Sequence, residues 1–392
     1  MIVDPPERAQ RGGRACKKLS DVCRIVGGST PKTSVADYWD GDVMWITPTE
    51  VIQHVGQVIT KSKKRITQLG LEKSSCRLLP VDTVLLTSRA SIGAVALVGR
   101  PMACNQGFVA LIPDQELVCP RYLMHWCRLH TNDFVNRAGG STFLEVSKSQ
   151  VGSVPIDLPP LEEQHRVVTI MDSIDDYLRA KRAELDKLRT LRRVVLQDEL
   201  SEERAQREGW ERKKLGDVAT LIRGRAPQYV DKGLLVIGQR CVRPDNRVDL
   251  SFGRCCDDTS GRMPKVRGGD ILINTTGTGT LGRTAIICGD GVTFDTHVVA
   301  ARPSVQVIDP RFLSYLLWMR QPLIVGAATG SSGQTGVSLM FLNTLGVVVP
   351  PIETQRRVVS RVRSIDNLVD TTQTEIDRLE ELRKAKLYEL IP

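Results

Sequence analysis

Six residues in the second half of this 392-residue chain, Gly277–Gly282 (GTGTLG), have the GxGxxG spacing of a glycine-rich turn that cradles a dinucleotide pyrophosphate. That chemistry needs a helix N-terminus directly behind the turn, but a strand-like run, RTAIIC, follows it. The corresponding turn in the first half, Ser88–Gly93 (SRASIG), lacks the glycines, so both segments are expected to be simple turns. The tetrad Asp4–Glu7 (DPPE) has the spacing of an amino-methyltransferase motif whose aromatic residue stacks on a flipped base. Here Glu7 stands in the aromatic position, and no glycine-rich methyl-donor loop accompanies it. The histidines (His54, His125, His130, His165 and His297) are dispersed, and no GxxxxGK[ST], HExxH or GxSxG segment occurs. Ten cysteines are scattered without a CxxC pair, and the adjacent Cys255 and Cys256 suit neither an ordinary disulfide nor zinc. The expectation is a non-catalytic chain with no metal site, reduced thiols and a cytoplasmic location.

The remaining chemistry is electrostatic. Residues 1–160 carry a net +5 and residues 209–350 a net +6, whereas 161–208 carry −2 and 351–392 are neutral, for +9 in all. Two basic blocks, each followed by a spacer of little net charge, point to a polyanionic partner, and nucleic acid fits best. No apolar run is long enough for a membrane span, so no membrane partner is expected.

The elements that position these charges occur twice. CKKLSDV (Cys16–Val22) returns as RKKLGDV (Arg212–Val218), 196 positions on. CPRYLMHW (Cys119–Trp126) returns as DPRFLSYL (Asp309–Leu316) after 190, and DLPPLEEQHRVV (Asp157–Val168) as VVPPIETQRRVV (Val348–Val359) after 191. Three matches in one order mean a tandem duplication. Within each copy, Asp82–Val98 and Gly269–Ile287 read as strand, polar turn, strand, and short helices are expected over Tyr122–Leu129 and Phe312–Met319. The expected fold is α+β, with a mixed sheet in each copy.

Behind each Pro-Pro pair the apolar residues step by four and three. Val167, Met171, Ile174, Leu178, Lys181, Leu185 and Leu188 form one series; Val358, Val362, Ile365, Val369, Thr372, Ile376 and Leu379 form the other. This is the seam of a coiled coil, with one polar residue at the matching place in each, Lys181 and Thr372. Helices from Leu161 to about Glu203 and from Ile352 to Leu390 would span roughly 65 and 58 Å at 1.5 Å per residue. Laid antiparallel, they would separate two basic lobes by about two turns of B-DNA. The expected divisions are a disordered tail over 1–13, a first lobe over 14–155, a helical spacer over 156–208, a second lobe over 209–350 and a distal helix over 351–392.

This organisation, with its paired PPxExQxxVV and KKLxDV segments and the RAELDKLRTLRR helix, resembles the specificity subunit of type I restriction-modification systems over about residues 14–392. The resemblance implies two target-recognition domains that each read half of a split, asymmetric site in double-stranded DNA. It implies two long antiparallel helices that dock two methyltransferase subunits, with a pseudo-twofold internal repeat. S-adenosylmethionine for N6-adenine methylation would then sit in those partners, and ATP and Mg in a restriction (translocase) subunit. No cofactor would belong to this chain. The competing reading is a coiled-coil scaffold, or an orphan DNA-binding protein that no longer directs modification.

Residues that read DNA follow the target and no motif, so candidates rest on side-chain chemistry. Lys61, Lys63, Lys64 and Arg65 in the first lobe, and Arg223, Arg225, Arg240, Arg243 and Arg247 in the second, are the phosphate candidates. Arg89 and Gln106, with Gln239, Asn274 and Arg283, are the base-edge candidates.

Overall fold

The computed structural model describes residues 17–140, 144–330 and 335–391. The tail expected over 1–13, DPPE and Cys16 lie outside the described residues. The chain divides into two compact units, 1–181 with 375–392, and 182–374. Each unit therefore takes a length of both long helices.

In the first unit a five-stranded sheet runs in the order Cys23–Gly27, Phe108–Pro113, Val84–Thr87, Val95–Val98, Val58–Ile59; only the last pairing is parallel. Its central strand VLLT is apolar without alternation because both faces are covered. Val84 and Leu86 face a core shared with the helix Pro120–Leu129 and the long helices, while Leu85 faces a second core with Val26, Ile46 and Phe108. A three-stranded sheet places Trp39–Ile46 between Lys64–Ile66, antiparallel, and Ala103–Cys104, parallel.

The second unit repeats this plan with one strand fewer. Its larger sheet is Ala219–Arg223, Val298–Pro303, Ile271–Asn274, Thr284–Ile286, and its smaller one places Gln228–Ile237 between Arg254–Asp257 and Thr293–Phe294. Ile271 and Ile273 face the helix side and Leu272 the opposite core. Where the first strand leaves each larger sheet, a glycine lets two backbones touch. A Cβ on Gly28 would stand 1.9 Å from the Asn105 carbonyl oxygen, and one on Gly224 1.8 Å from that of Asp295.

The duplicated motifs are the clasps of each unit. In KKLxDV the aspartate caps a short helix: Asp21 accepts from the Lys18 amide (2.8 Å) and Asp217 from the Lys214 amide (3.0 Å). Leu19 and Val22, like Leu215 and Val218, are fully buried. In PPxExQ the glutamine is fully buried and ties the long helix to the loop before the short one. Gln164 accepts from the Cys119 amide (2.8 Å) and donates to the Leu117 and Pro159 carbonyls. Gln355 does the same with the Asp309 amide (2.7 Å) and the Val307 and Pro350 carbonyls. The short helices span Pro120–Leu129 and Pro310–Met319.

The long helices span Leu161–Glu199 and Ile352–Leu390, 39 residues each. The first stops short of Glu203. Ser201 accepts from the Arg204 amide and starts a new helix, Glu202–Arg207, while Glu199 is buried between Arg204 and Arg361. All fourteen seam positions are buried or half-buried. Within each unit the two helical lengths run antiparallel: Asp175 meets Arg383 and Lys181 meets Glu375 in the first, Arg192 meets Asp366 and Glu199 meets Arg361 in the second. Lys181 is compensated by Glu375 at 3.0 Å, which also accepts from the Tyr177 hydroxyl. No described helix is long and apolar enough to cross a membrane.

Candidate nucleic-acid interface

The small sheet of the first unit exposes a cationic edge. In the first unit Lys61 and Lys63 lie in the loop that enters the edge strand, Lys64 and Arg65 lie on it, and all four are exposed. The loop is held from behind. Glu50, buried, accepts from the Lys63 amide at 2.7 Å, and the Ser62 hydroxyl donates to the Lys64 carbonyl at 2.7 Å. None of the four cations forms an ion pair among the described residues, so their charge faces solvent.

Registered pairing then builds a device the sequence reading missed. Lys64 lies opposite Trp45, and its ammonium stands 5.7 Å from the ring centre of Trp39. In the second unit Arg254 lies opposite Val236, and its guanidinium stands 3.7 Å from the ring centre of Tyr229. Trp45 and Val236 hold the same place, because each also pairs in parallel with the third strand, at Ala103 and Thr293. Both units thus carry a cation over an aromatic ring at one register position. A cation held on an aromatic face is preorganised for a phosphate. Both pairs arise across a strand shift, between Trp39 and Val43 and between Tyr229 and Leu234, which no local spacing announces.

The turns at the ends of the larger sheets form a second locus. In the first unit it brings Arg89 and Gln106 to one rim, joined through the Ser88 amide and the Gly107 carbonyl (2.8 Å). Arg89 is exposed and paired with Glu145 at 2.9 Å; Gln106 accepts from the Thr30 hydroxyl. In the second unit the GTGTLG turn joins two antiparallel strands, Ile271–Asn274 and Thr284–Ile286, and Gly277, Gly279 and Gly282 all take positive φ. It is a strand connection with no helix behind it.

Around that turn Gln239 accepts from the Thr280 hydroxyl at 2.7 Å, and Arg283, half-buried, donates to the Gly279 carbonyl at 2.7 Å. Asn274 differs from the base-edge expectation. It is fully buried and gives its amide hydrogens to the Gln239 and Thr280 carbonyls, so it shapes the turn and presents no donor to a groove. His297, set aside in the sequence as unremarkable, is exposed on this rim and hydrogen-bonded to Thr276 at 2.6 Å. Behind it, burial pushes the Asp295 carboxyl above its ordinary value.

The remaining cations of the second unit separate into two groups. Arg223 and Arg225 are exposed on either side of Gly224, and Arg240 and Arg243 stand 5.1 and 4.8 Å from the ring centre of Phe252. Arg247 belongs elsewhere: it pairs with Asp245 and with Asp370 of the long helix. Among the described residues no group of three or more histidine, cysteine, aspartate or glutamate side chains could hold a metal ion. Burial pushes the thiols of Cys23 and Cys104 up to about 12, which leaves them protonated and unreactive at neutral pH.

The profile of the family described as "Type I restriction modification DNA specificity domain" matches residues 15–189 and 261–381. Among curated proteins, the type I restriction enzyme MjaIX specificity subunit of Methanocaldococcus jannaschii is 34% identical over 232 residues, 54% of this chain and 53% of that protein. The EcoR124I/EcoR124II specificity subunit of Escherichia coli is 26% identical over 166 residues, 41% of this chain and 40% of that protein. The chain thus spans about half the length of these curated relatives, or less. Among solved structures, the type I restriction-modification S subunit from M. genitalium shares the fold with a TM-score of 0.60 at 16% identity, covering 99% of both chains.

Proposed function

The chain belongs to the type I restriction-modification DNA specificity family, and on that premise we propose that it reads a bipartite, asymmetric site in double-stranded DNA, one half with each unit. The relatives that it matches are specificity subunits, and in this reading the chain is likewise a specificity component and not the catalyst. The observation that carries the reading is the repeated sheet edge, with Lys64 over Trp39 in one unit and Arg254 over Tyr229 in the other. The device is common to both units, and the residues around it are not. Unlike neighbours on a like platform are what two different half-sites require.

In this reading the exposed cations Lys61, Lys63, Lys64, Arg65, Arg223, Arg225, Arg240 and Arg254, with the half-buried Arg243, grip phosphates. Arg89, Gln106, Gln239, Arg283 and His297 surround the rims from which base edges are read. The long helices dock two methyltransferase subunits. Those partners bind S-adenosylmethionine and methylate adenine N6, and a restriction subunit, where present, uses ATP and Mg.

Sequencing modified bases in host DNA, with this gene intact and deleted, tests the proposal. Loss of methyladenine at a split motif on deletion is the expected result and would reveal both half-sites. An unchanged methylome would instead favour a scaffold or an orphan DNA-binding protein.

A further inference from the structure

The second unit contains a cavity of about 460 Å³ between the short helix and the second long helix, with Arg311 and Arg363 in its wall. The corresponding helix positions of the first unit form an ion pair. There Arg121 of the short helix meets Asp172 of the first long helix at 2.6 Å. Shifted by the repeat, those two positions are Arg311 and Arg363. One sign has been inverted, and a carboxylate–guanidinium pair has become two guanidiniums.

The carboxylates in the same wall are already engaged. Asp366 is held by Arg192 at 2.9 Å and by the Tyr315 hydroxyl, while Asp245 and Asp370 are held by Arg247. Neither Arg311 nor Arg363 has an ion-pair partner among the described residues. Two like charges at one concavity repel unless an anion lies between them, and the apolar wall at Ile286 and Ile287 strengthens attraction for that anion.

We propose that this cavity is a binding site for a phosphate-class oxyanion, clamped by Arg311 and Arg363. Planar guanidinium forks match phosphate oxygens in pairs. The volume falls within the roughly 300–1,000 Å³ of small-ligand sites, room for a phosphate and the group that carries it. A free phosphate ester and a DNA backbone phosphate share this chemistry. The site does not depend on the DNA reading above.

The test uses the full chain with inorganic phosphate as the probe, against chloride at matched ionic strength, followed by thermal unfolding. Phosphate is expected to raise the Tm saturably. Arg363→Asp rebuilds the pairing that the first unit already has, so it is expected to fold and to lose the phosphate-dependent shift. Arg363→Gln, at an exposed position, removes the charge without adding a new one and is expected to lose the shift as well. Titration with duplex DNA separates the sources. If backbone phosphate is the ligand, Arg363→Asp lowers the salt slope of duplex binding by about one. If the ligand is a free phosphate ester, duplex binding is unchanged while the phosphate shift disappears. No phosphate-specific shift in the native chain, or a shift in both variants as large as the native one, overturns the proposal.

Discussion

The two units solve one packing problem with two sets of charges. Asp175 and Arg383 in the first correspond through the repeat to Asp366 and Arg192 in the second, and both pairs join the two long helices. Around them the partners change. Arg128 stands beside Asp175 in the first unit, where burial and the neighbouring Arg383 lower its pKa to about 10. In the second unit that position is Trp318, whose ring centre lies 4.5 Å from the Arg192 guanidinium. His125 is replaced by Tyr315, whose hydroxyl donates to Asp366. The helix-to-helix pair is kept and its environment is rewritten, so duplication constrains the clasp and leaves the surroundings free to diverge.

The strongest way to break this comparison is at the glycine contacts. Gly28→Ala and Gly224→Ala each drive a Cβ into a carbonyl less than 2 Å away. Each is expected to cost about 3 kcal/mol or more, measured by denaturant unfolding, because backbone on both sides must move. If one substitution were tolerated, the two close approaches would not be equivalent.

Next come the clasps between the helices. Arg192 is 4% exposed, so Asp366→Ala strands a buried cation and is expected to cost about 3–5 kcal/mol. Asp175→Ala should cost less, since its partners Arg128 and Arg383 keep more contact with water. Equal losses in chemical denaturation would mean that burial does not separate the pairs.

At the sheet edges, Lys64→Ala and Arg254→Ala are each expected to lower the salt slope of duplex binding by about one, with folding unchanged. Arg254 lies closer to its ring, so its loss should weaken binding more. A change confined to one unit would remove the shared platform from the argument for DNA reading.

The smallest expected effect separates the units by pH. Burial raises the Asp172 pKa, but the nearby His125 ring at 3.5 Å and the Arg121 guanidinium at 2.6 Å outweigh it and hold the carboxyl below its ordinary 3.8. A depressed folded pKa contributes stability above the unfolded value, and that contribution is lost as pH falls through the folded one. The matching position in the second unit is Arg363, which does not titrate in this range. Asp172→Asn should therefore flatten part of the stability loss below pH 3.8 that is reported by the first unit's tryptophans, such as Trp126. An unchanged acid limb would assign that loss to other carboxylates.

Much of this architecture was legible before any coordinates. The repeat, the strand–turn–strand segments and the Pro-Pro helix starts all follow from local spacing. Local spacing did not reveal the stop at Glu199, because a capping serine four turns past the last seam residue looks like any other serine. Nor did it separate Asn274 and Arg247 from the exposed candidates. Their partners, the Gln239 carbonyl and Asp370, lie 35 and 123 positions away.

The sequence by itself determined that the chain is duplicated and where its strand–turn–strand segments and long helices begin, since hydrophobic periodicity and turn residues are written locally along each element. Only the tertiary structure decided which cations are free and which are already neutralised. It also decided that Lys64 and Arg254 cover aromatic rings, and that Arg311 and Arg363 line one cavity with no ion-pair partner of their own among the described residues. Those outcomes depend on strand register and helix pairing, which set distances between side chains far apart in the chain.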